Sequence, residues 1–455
     1  MKEQFPGPIA RRYLEKLAKY YATTTISSRV FPERREGSYI IDKDGFHFLD
    51  LHGGASVMTL PKSPFIEKEI VAQIIKNRFT EHHSTPNPDA IVCAEILATR
   101  SPVKKPSKVF FSSSGTEANE AARKLCETYR YHRGETKKRN KTIYFVNGFA
   151  GRTHGSLAGT TSKPAAQRDP FWNEWDREHS LYLSFPQKGK DNNEFYLELS
   201  YGRDYFGNRF SLEEVDRLLI ELPCQGEGGV IPIDEGWLEY FYHKTQDAGV
   251  FFIADCVQCG MGRTGSLFGC DVFPWLQSDI LTMGKALGGG MAIGATIFRA
   301  DLDWQPKEHS NTFGGNPVVM AAALAALQET DQLINDGSIK KLEHALSLRL
   351  RECAERFPDF IVEIRGMGAM WAMELVTANT QERLIQIGEE MVNETGCGLL
   401  LLGAGNVHIP NHAVRIMPPL TITCDELDHA FSLLTSAFTL LRKETEHALD
   451  HHFIR

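Results

Sequence analysis

Three turns in this sequence carry residue types that could do chemistry together. Lys285 follows the apolar run "ILTMG" and opens "KALGGG". A lysine buried at such a place loses its proton more readily and becomes a nucleophile towards aldehydes. A solvent-facing lysine after a strand would carry the same letters. Asp255 ends "VFFIAD", after five apolar residues from Val250 to Ala254. A carboxylate there is costly to bury unless it meets a cation. Gln258, three residues on, has the same crevice within reach. Gly115 and Thr116, in "SSSGTEANEAARKL" from Ser112 to Leu125, mark a strand-to-helix turn. Free N–H groups, a hydroxyl and the positive end of a helix form a phosphate cradle. An ordinary Ser or Thr helix cap reads alike.

Other patterns nearby do not hold up. Gly260, Gly262 and Gly265 spell G-x-G-x-x-G, but "SLFGCDVFPW" follows and has no helical period. A dinucleotide fingerprint needs a helix there and an acidic residue ~20 positions on. A P-loop needs glycine where Asp279 stands and Ser or Thr where Ala286 stands. Cys256, Cys259 and Cys270 have poor spacing for zinc and read as structural thiols, so no metal is expected.

These residues must be positioned by a sizeable fold. The chain has 455 residues, 42% hydrophobic and 24% charged, which suits a soluble protein of two domains. A net charge of −8 argues against a nucleic-acid partner. Nine scattered cysteines fit a reducing compartment. No apolar stretch reaches the ~20 residues that span a bilayer, and the N-terminal residues lack a signal-like apolar run. The cytoplasm is the expected location.

Along the chain, Ala10, Leu14, Leu17 and Tyr21 predict one face of a helix, and Asp42 to Gly45 predict a hairpin turn. Residues 66–100 read as helical. Strands at 142–149, 249–255 and 279–284 alternate with helices, and a long helix follows Asn316. That alternation predicts an α/β domain with a mainly parallel sheet. After about residue 325 the texture becomes α+β. The expected organisation is an N-terminal arm and hairpin over residues 1–60 packing with the small domain. A large domain over 61–325 and a small C-terminal domain over 326–455 complete it.

A phosphate cradle, a strand-end carboxylate and a nucleophilic lysine pose one demand, which pyridoxal 5′-phosphate meets. Family resemblance then sharpens the reading. The chain resembles the class III (ω-type) aminotransferases of fold type I through "SSSGTEANEAARKL", "GFAGRTHGSLAGT", "QGEGGVIP", "ADCVQCGMGRTG" with "SDILTMGKALGGGMAIGA", and "NTFGGNP". "IRGMGAMWAMEL" and "VRIMPPLTI" extend the likeness towards the C-terminus. The resemblance implies a large domain with a mainly parallel seven-stranded sheet and a smaller α+β domain. It implies that Lys285 forms the Schiff base and that Asp255 faces the pyridine nitrogen. It places Gln258 at the ring hydroxyl, Phe149 on the ring, and Ser114, Gly115 and Thr116 at the phosphate.

It further implies that Thr312 reaches the cofactor of a neighbouring subunit, hence a homodimer or a tetramer built from it. Arg415 would grip a substrate carboxylate, and Glu227 would pair with that arginine. The implied activity moves an amino group from an amine or amino acid to a keto acid such as 2-oxoglutarate or pyruvate. The same scaffold supports racemases, epimerases and lyases, and a non-catalytic binding protein is a third reading. Three departures stand out: Cys256, Ala150 and Leu222 replace a common glutamate, histidine and glutamate. They are expected near the substrate side.

Overall fold

Seven strands form the sheet that carries the candidate residues. The structure, a computed structural model, describes residues 4–22, 28–61, 63–78, 85–135, 138–404 and 412–452. In chain order the strands are β1 (Ser107–Ser112), β2 (Lys141–Phe145), β3 (Ser180–Leu183), β4 (Val215–Glu221), β5 (Phe251–Asp255), β6 (Ile280–Gly284) and β7 (Gly294–Arg299). Their spatial order is β1-β7-β6-β5-β4-β2-β3. Only β7 runs against its neighbours, β6 and β1. Every residue of β4, β5 and β6 is buried, as near-continuous apolar runs require when both sheet faces are covered. The helix Gly115–His132 crosses over β6 and β7.

Parallel pairing aligns the strand ends. Asp255 lies in register with Glu221 of β4 on one side and Thr282 of β6 on the other. Functional residues at the C-terminal ends of β4, β5 and β6 therefore converge at one edge, the usual place for ligands in such sheets.

A second core lies C-terminally. The strands Ile361–Met367, Met370–Leu375, Ala413–Ile416 and Leu402–Gly403 form an antiparallel sheet in that order. The helices Ser338–Arg356 and Cys424–His452 pack with it through Leu346, Leu350, Leu434 and Phe438, all fully buried. The N-terminal hairpin joins this part. His47–Asp50 pairs parallel with Cys397–Leu400, and Leu49 and Leu51 enter the same core.

Two local expectations change. Residues 66–100 hold two helices, Pro64–Ile75 and Pro88–Arg100. Ser63 and Asn87 cap them, and a proline at each start fixes the helical φ where no N–H is needed. The N-terminal helix, Pro8–Tyr20, buries only Ala10 of its expected face, and Tyr21 is exposed. That helix is pinned at its start by Asp44 instead, whose carboxylate accepts the N–H groups of Ile9 and Ala10 at 2.8 and 2.7 Å.

Candidate active site

A cavity of about 380 Å³ opens at the C-terminal edge of the sheet. It gathers Gly115, Thr116, Phe149, Glu227, Asp255, Gln258 and Lys285 from the sequence-predicted set. Ser114, Thr312 and Arg415 are not part of its lining.

Lys285 begins where β6 ends, with φ at +47°. A non-glycine residue in that left-handed conformation costs roughly 1–2 kcal/mol, so the neighbouring structure must enforce it. Burial pulls the ammonium below its ordinary range, and the charges of Asp255, Glu221 and Glu227 oppose that pull without cancelling it. The result is an amine that sheds its proton more easily, as a nucleophile or proton carrier requires.

Asp255 is 4% exposed and well held. One oxygen accepts the Val257 N–H at 2.9 Å and the other accepts Asn119 Nδ2 at 2.8 Å. Asn119 in turn accepts the Thr282 hydroxyl at 2.8 Å and donates to the Ala150 carbonyl at 2.8 Å. Burial nevertheless raises the Asp255 pKa, against these donors and Lys285. Such a carboxylate is stabilised by a further N–H or cation.

At the helix start, Ser114 is engaged as the cap. It accepts the Glu117 N–H at 3.3 Å and donates to Glu117 Oε2 at 2.9 Å. Thr116 sits in the first turn, with its hydroxyl 2.8 Å from Thr153 Oγ1 and 2.6 Å from Ser156 Oγ. A Cβ at Gly115 would come within 2.6 Å of Val257 Cγ1, so this turn closes on the loop after Asp255 only with glycine. The donor set matches pyridoxal 5′-phosphate: hydroxyls and a helix N-terminus for a dianion, a buried carboxylate for a ring N–H, and an amine for an aldehyde. Phe149 lines the same cavity, with the Arg152 guanidinium 5.7 Å from its ring centre. Gln258 donates to the Ala55 carbonyl at 3.1 Å.

Arg415 lies beyond the lining, 2% exposed, and donates to Glu227 Oε2 at 2.8 Å and to the Gly403 carbonyl at 2.9 Å. Burial works to raise the Glu227 carboxyl, but Arg415, Lys163 and Lys285 outweigh it and hold the group ionised. Thr312 is exposed on the segment between β7 and the helix Pro317–Asn335. Nearby, Asn311 ties that segment to the cradle helix by donating to Glu117 Oε1 at 3.0 Å.

Sequence reasoning missed three charged or amide side chains that the cavity adds. Asn119 follows Thr116 by three residues, one helical turn that faces the same way, and this spacing could have found it. Arg152 lay inside a recognised motif. Glu221 ends β4 as Asp255 ends β5. It accepts the N–H groups of Phe149 and Gly226 at 2.9 and 3.0 Å. Burial, then the neighbouring Asp255, pushes its pKa up to about 8.

The three departures also fall differently than expected. Only Ala150 lines the cavity. Cys256 and Leu222 are core residues, and they touch each other, with Cys256 Sγ 3.8 Å from the Leu222 carbonyl. The glycine-rich stretch has a structural use. Gly262, at φ +78°, shapes a turn that delivers the fully buried Arg263 to the Ala369 and Pro418 carbonyls at 3.0 and 2.6 Å. Among the described residues, no group of three or more His, Cys, Asp or Glu side chains is arranged to hold a metal, and no helix is long and apolar enough to cross a membrane.

The family description "Aminotransferase class-III" matches residues 20–438. An acetylornithine aminotransferase of Clostridium acetobutylicum is 31% identical over 406 residues, covering 88% of this chain and 94% of its own. A putrescine aminotransferase of Pectobacterium atrosepticum is 34% identical over 397 residues, covering 85% of this chain and 77% of its own. In fold, an omega-aminotransferase from Paracoccus denitrificans superposes with a TM-score of 0.80 at 24% identity, covering 94% of this chain and 99% of that one. The chain belongs to the class-III aminotransferases, pyridoxal-phosphate-dependent enzymes that transfer amino groups.

Proposed function

We propose that Lys285, Asp255, Gly115 and Thr116 hold pyridoxal 5′-phosphate in this cavity, and that amino groups pass there from an amine or amino acid to a 2-oxo acid. The convergence of Lys285 and Asp255 with the cradle at the helix Gly115–His132 in one cavity carries the reading. The cofactor supplies an aldehyde carbon and a ring that spreads the electron pair left when a substrate C–H proton departs.

The chain does the rest. Lys285, its amine made less basic by burial, takes that proton and returns it one position along. Asp255, fixed by Asn119 and the Val257 N–H, accepts the ring N–H and keeps the ring cationic. Thr116 and the helix start bind the phosphate, Phe149 stacks on the ring, and Gln258 meets its hydroxyl. Arg152 and Arg415 provide cations for a substrate carboxylate. Glu227 covers Arg415 until such a carboxylate displaces it, so amines without a carboxylate bind with the pair closed.

Two copies complete the site. Thr312 is exposed in one chain, beside Phe313 at 67% exposure, and Ile75 and Ile91 are also exposed at 75% and 61%. Such apolar surface fits an interface through which Thr312 reaches the partner's phosphate.

The test is borohydride reduction of the holoenzyme followed by peptide mapping. A pyridoxyl adduct on Lys285 is expected. Lys285→Ala should lose the adduct and lower turnover by at least roughly 10²–10⁴-fold. An adduct on another residue, or full turnover in the variant, refutes the assignment.

A further inference from the structure

Three sulfur atoms meet at the edge of the cavity. Cys224 Sγ lies 3.7 Å from Cys259 Sγ and 3.9 Å from Met370 Sδ, and Cys259 Sγ lies 4.0 Å from Met370 Sδ. All three side chains are buried, and each comes from a different segment: the short strand after β4, the loop after β5, and the strand Met370–Leu375. A point equidistant from the three sulfurs is about 2.2 Å from each. A thiolate keeps about 2.3 Å from a d¹⁰ zinc ion.

We propose that Cys224, Cys259 and Met370 form a trigonal binding site for a soft monovalent d¹⁰ cation, copper(I). Thiolate and thioether donors together select copper(I) over harder ions. A nearby thiol pair, Cys256 and Cys270 at 3.7 Å, offers a useful contrast. Its further contact is a backbone carbonyl, Leu222 O, rather than a third sulfur. Cys259 lines the cavity, which gives the ion a way in.

Binding is a ligand exchange without electron transfer. Two S–H bonds lose their protons to solvent, the thioether contributes a lone pair, and the ion leaves its chelator. Two thiolates and one monovalent cation carry a net charge of −1. Arg263, fully buried and electrostatically coupled to Cys259, offsets it. A coordinating metal ion deprotonates the thiol outright.

The ion would join three segments that shape the proposed carboxylate gate. Cys224 precedes Glu227 by three residues, and Cys259 adjoins Gln258. The strand of Met370 pairs with that of Arg415, Ala372 lying opposite Arg415. Loading should therefore hinder substrates that must displace Glu227. That consequence rests on the gate proposed above, whereas the binding itself does not.

The experiment titrates holoenzyme anaerobically against the coloured bicinchoninate complex of copper(I), in a Cys424→Ser background that removes the exposed thiol. One copper(I) per chain is expected to leave the chelator, with X-ray absorption showing sulfur ligands only. Met370→Leu, which roughly keeps volume, should weaken binding at least tenfold and leave two sulfurs. Cys224→Ala with Cys259→Ala should abolish it, and Cys256→Ala should leave it unchanged. Failure to withdraw copper, nitrogen or oxygen ligation, or binding retained in the double variant overturns the proposal. Thermal melting of each variant confirms that it is folded. Binding as expected with activity unchanged for every substrate would refute the gate and leave the site standing.

Discussion

Glu227→Gln isolates what the Arg415 pair does. The wild-type contact is a charge-assisted bond of 2.8 Å between groups whose side chains are 3% and 17% exposed. Glutamine keeps the shape and one neutral acceptor. Hydrogen bonds to charged groups contribute roughly 1.5–3 kcal/mol and neutral ones about 1, so the variant loses roughly 0.5–2 kcal/mol of closure. A substrate carboxylate competing for Arg415 gains that amount. At about 1.4 kcal/mol per decade, KM for a 2-oxo acid should fall roughly 2–30-fold, while KM for a carboxylate-free amine should not fall. Steady-state kinetics with both substrate classes make the measurement. Stability supplies a second readout. The Glu227 carboxyl is held below 4.5, so its contribution is whole above that pH and is lost as pH falls through the folded value. The variant should melt lower than wild type near pH 7, with the difference shrinking towards strongly acidic pH. A carboxylate KM that stays within twofold, or falls equally for both substrate classes, would refute the gate.

Glu221→Gln should flatten the pH dependence of melting between about pH 5 and 8. The wild-type carboxyl titrates near 8 when folded and near 4.5 otherwise, so wild-type stability should fall as pH rises through that window. A variant as steep as wild type would show that Glu221 is not the cause. Thr312→Ala should leave the unfolding free energy of the cofactor-free chain within about 0.5 kcal/mol of wild type, as an exposed substitution does, yet speed cofactor loss from the holoenzyme on dilution. Unchanged retention, followed by absorbance, argues against a shared phosphate site. Phe438→Ala removes a fully buried ring stacked on Phe357 at 5.0 Å and should cost about 3–5 kcal/mol in denaturant unfolding. A loss under 1 kcal/mol would show that the second core repacks around it.

Some of this arrangement was legible in the sequence for identifiable reasons. "VFFIAD" reads as a strand buried on both faces because nothing polar interrupts it, and the same run places Asp255 at the sheet's edge. The antiparallel direction of β7 was not legible, since "GATIFR" would look the same either way once buried. The strand Pro32–Glu36 escaped because its residues are charged and largely exposed, as edge strands are when they avoid pairing with other chains. Arg415 and Glu227 stand 188 residues apart, and resemblance rather than local pattern brought them together. No sequence pattern announces that Cys256 and Leu222 lie in the core, where the Cys256 thiol meets the Leu222 backbone carbonyl, so two replacements that read as active-site changes turn out to be buried away from the cavity lining.

Glu221 shows what register adds to such a reading. Taken alone, β4 and β5 each end in a carboxylate, and parallel pairing sets the two side by side. Two buried like charges cannot both ionise cheaply, so their proton affinities are driven apart. The surroundings decide which keeps its charge. Asp255 faces Asn119, the Val257 N–H and the Lys285 amine. Glu221 faces the Phe149 and Gly226 N–H groups, is raised by burial and then by Asp255, and takes the proton up to about pH 8. The pair thereby divides into Asp255, whose Asn119, Val257 and Lys285 contacts oppose the upward pull of burial, and Glu221, a largely neutral acid below about pH 8 that positions Phe149. Replacing Glu221 should therefore disturb the placement of Phe149 before it disturbs the charge of Asp255. A Glu221→Gln enzyme that keeps its cofactor affinity but shifts the pH profile of kcat would reverse that order.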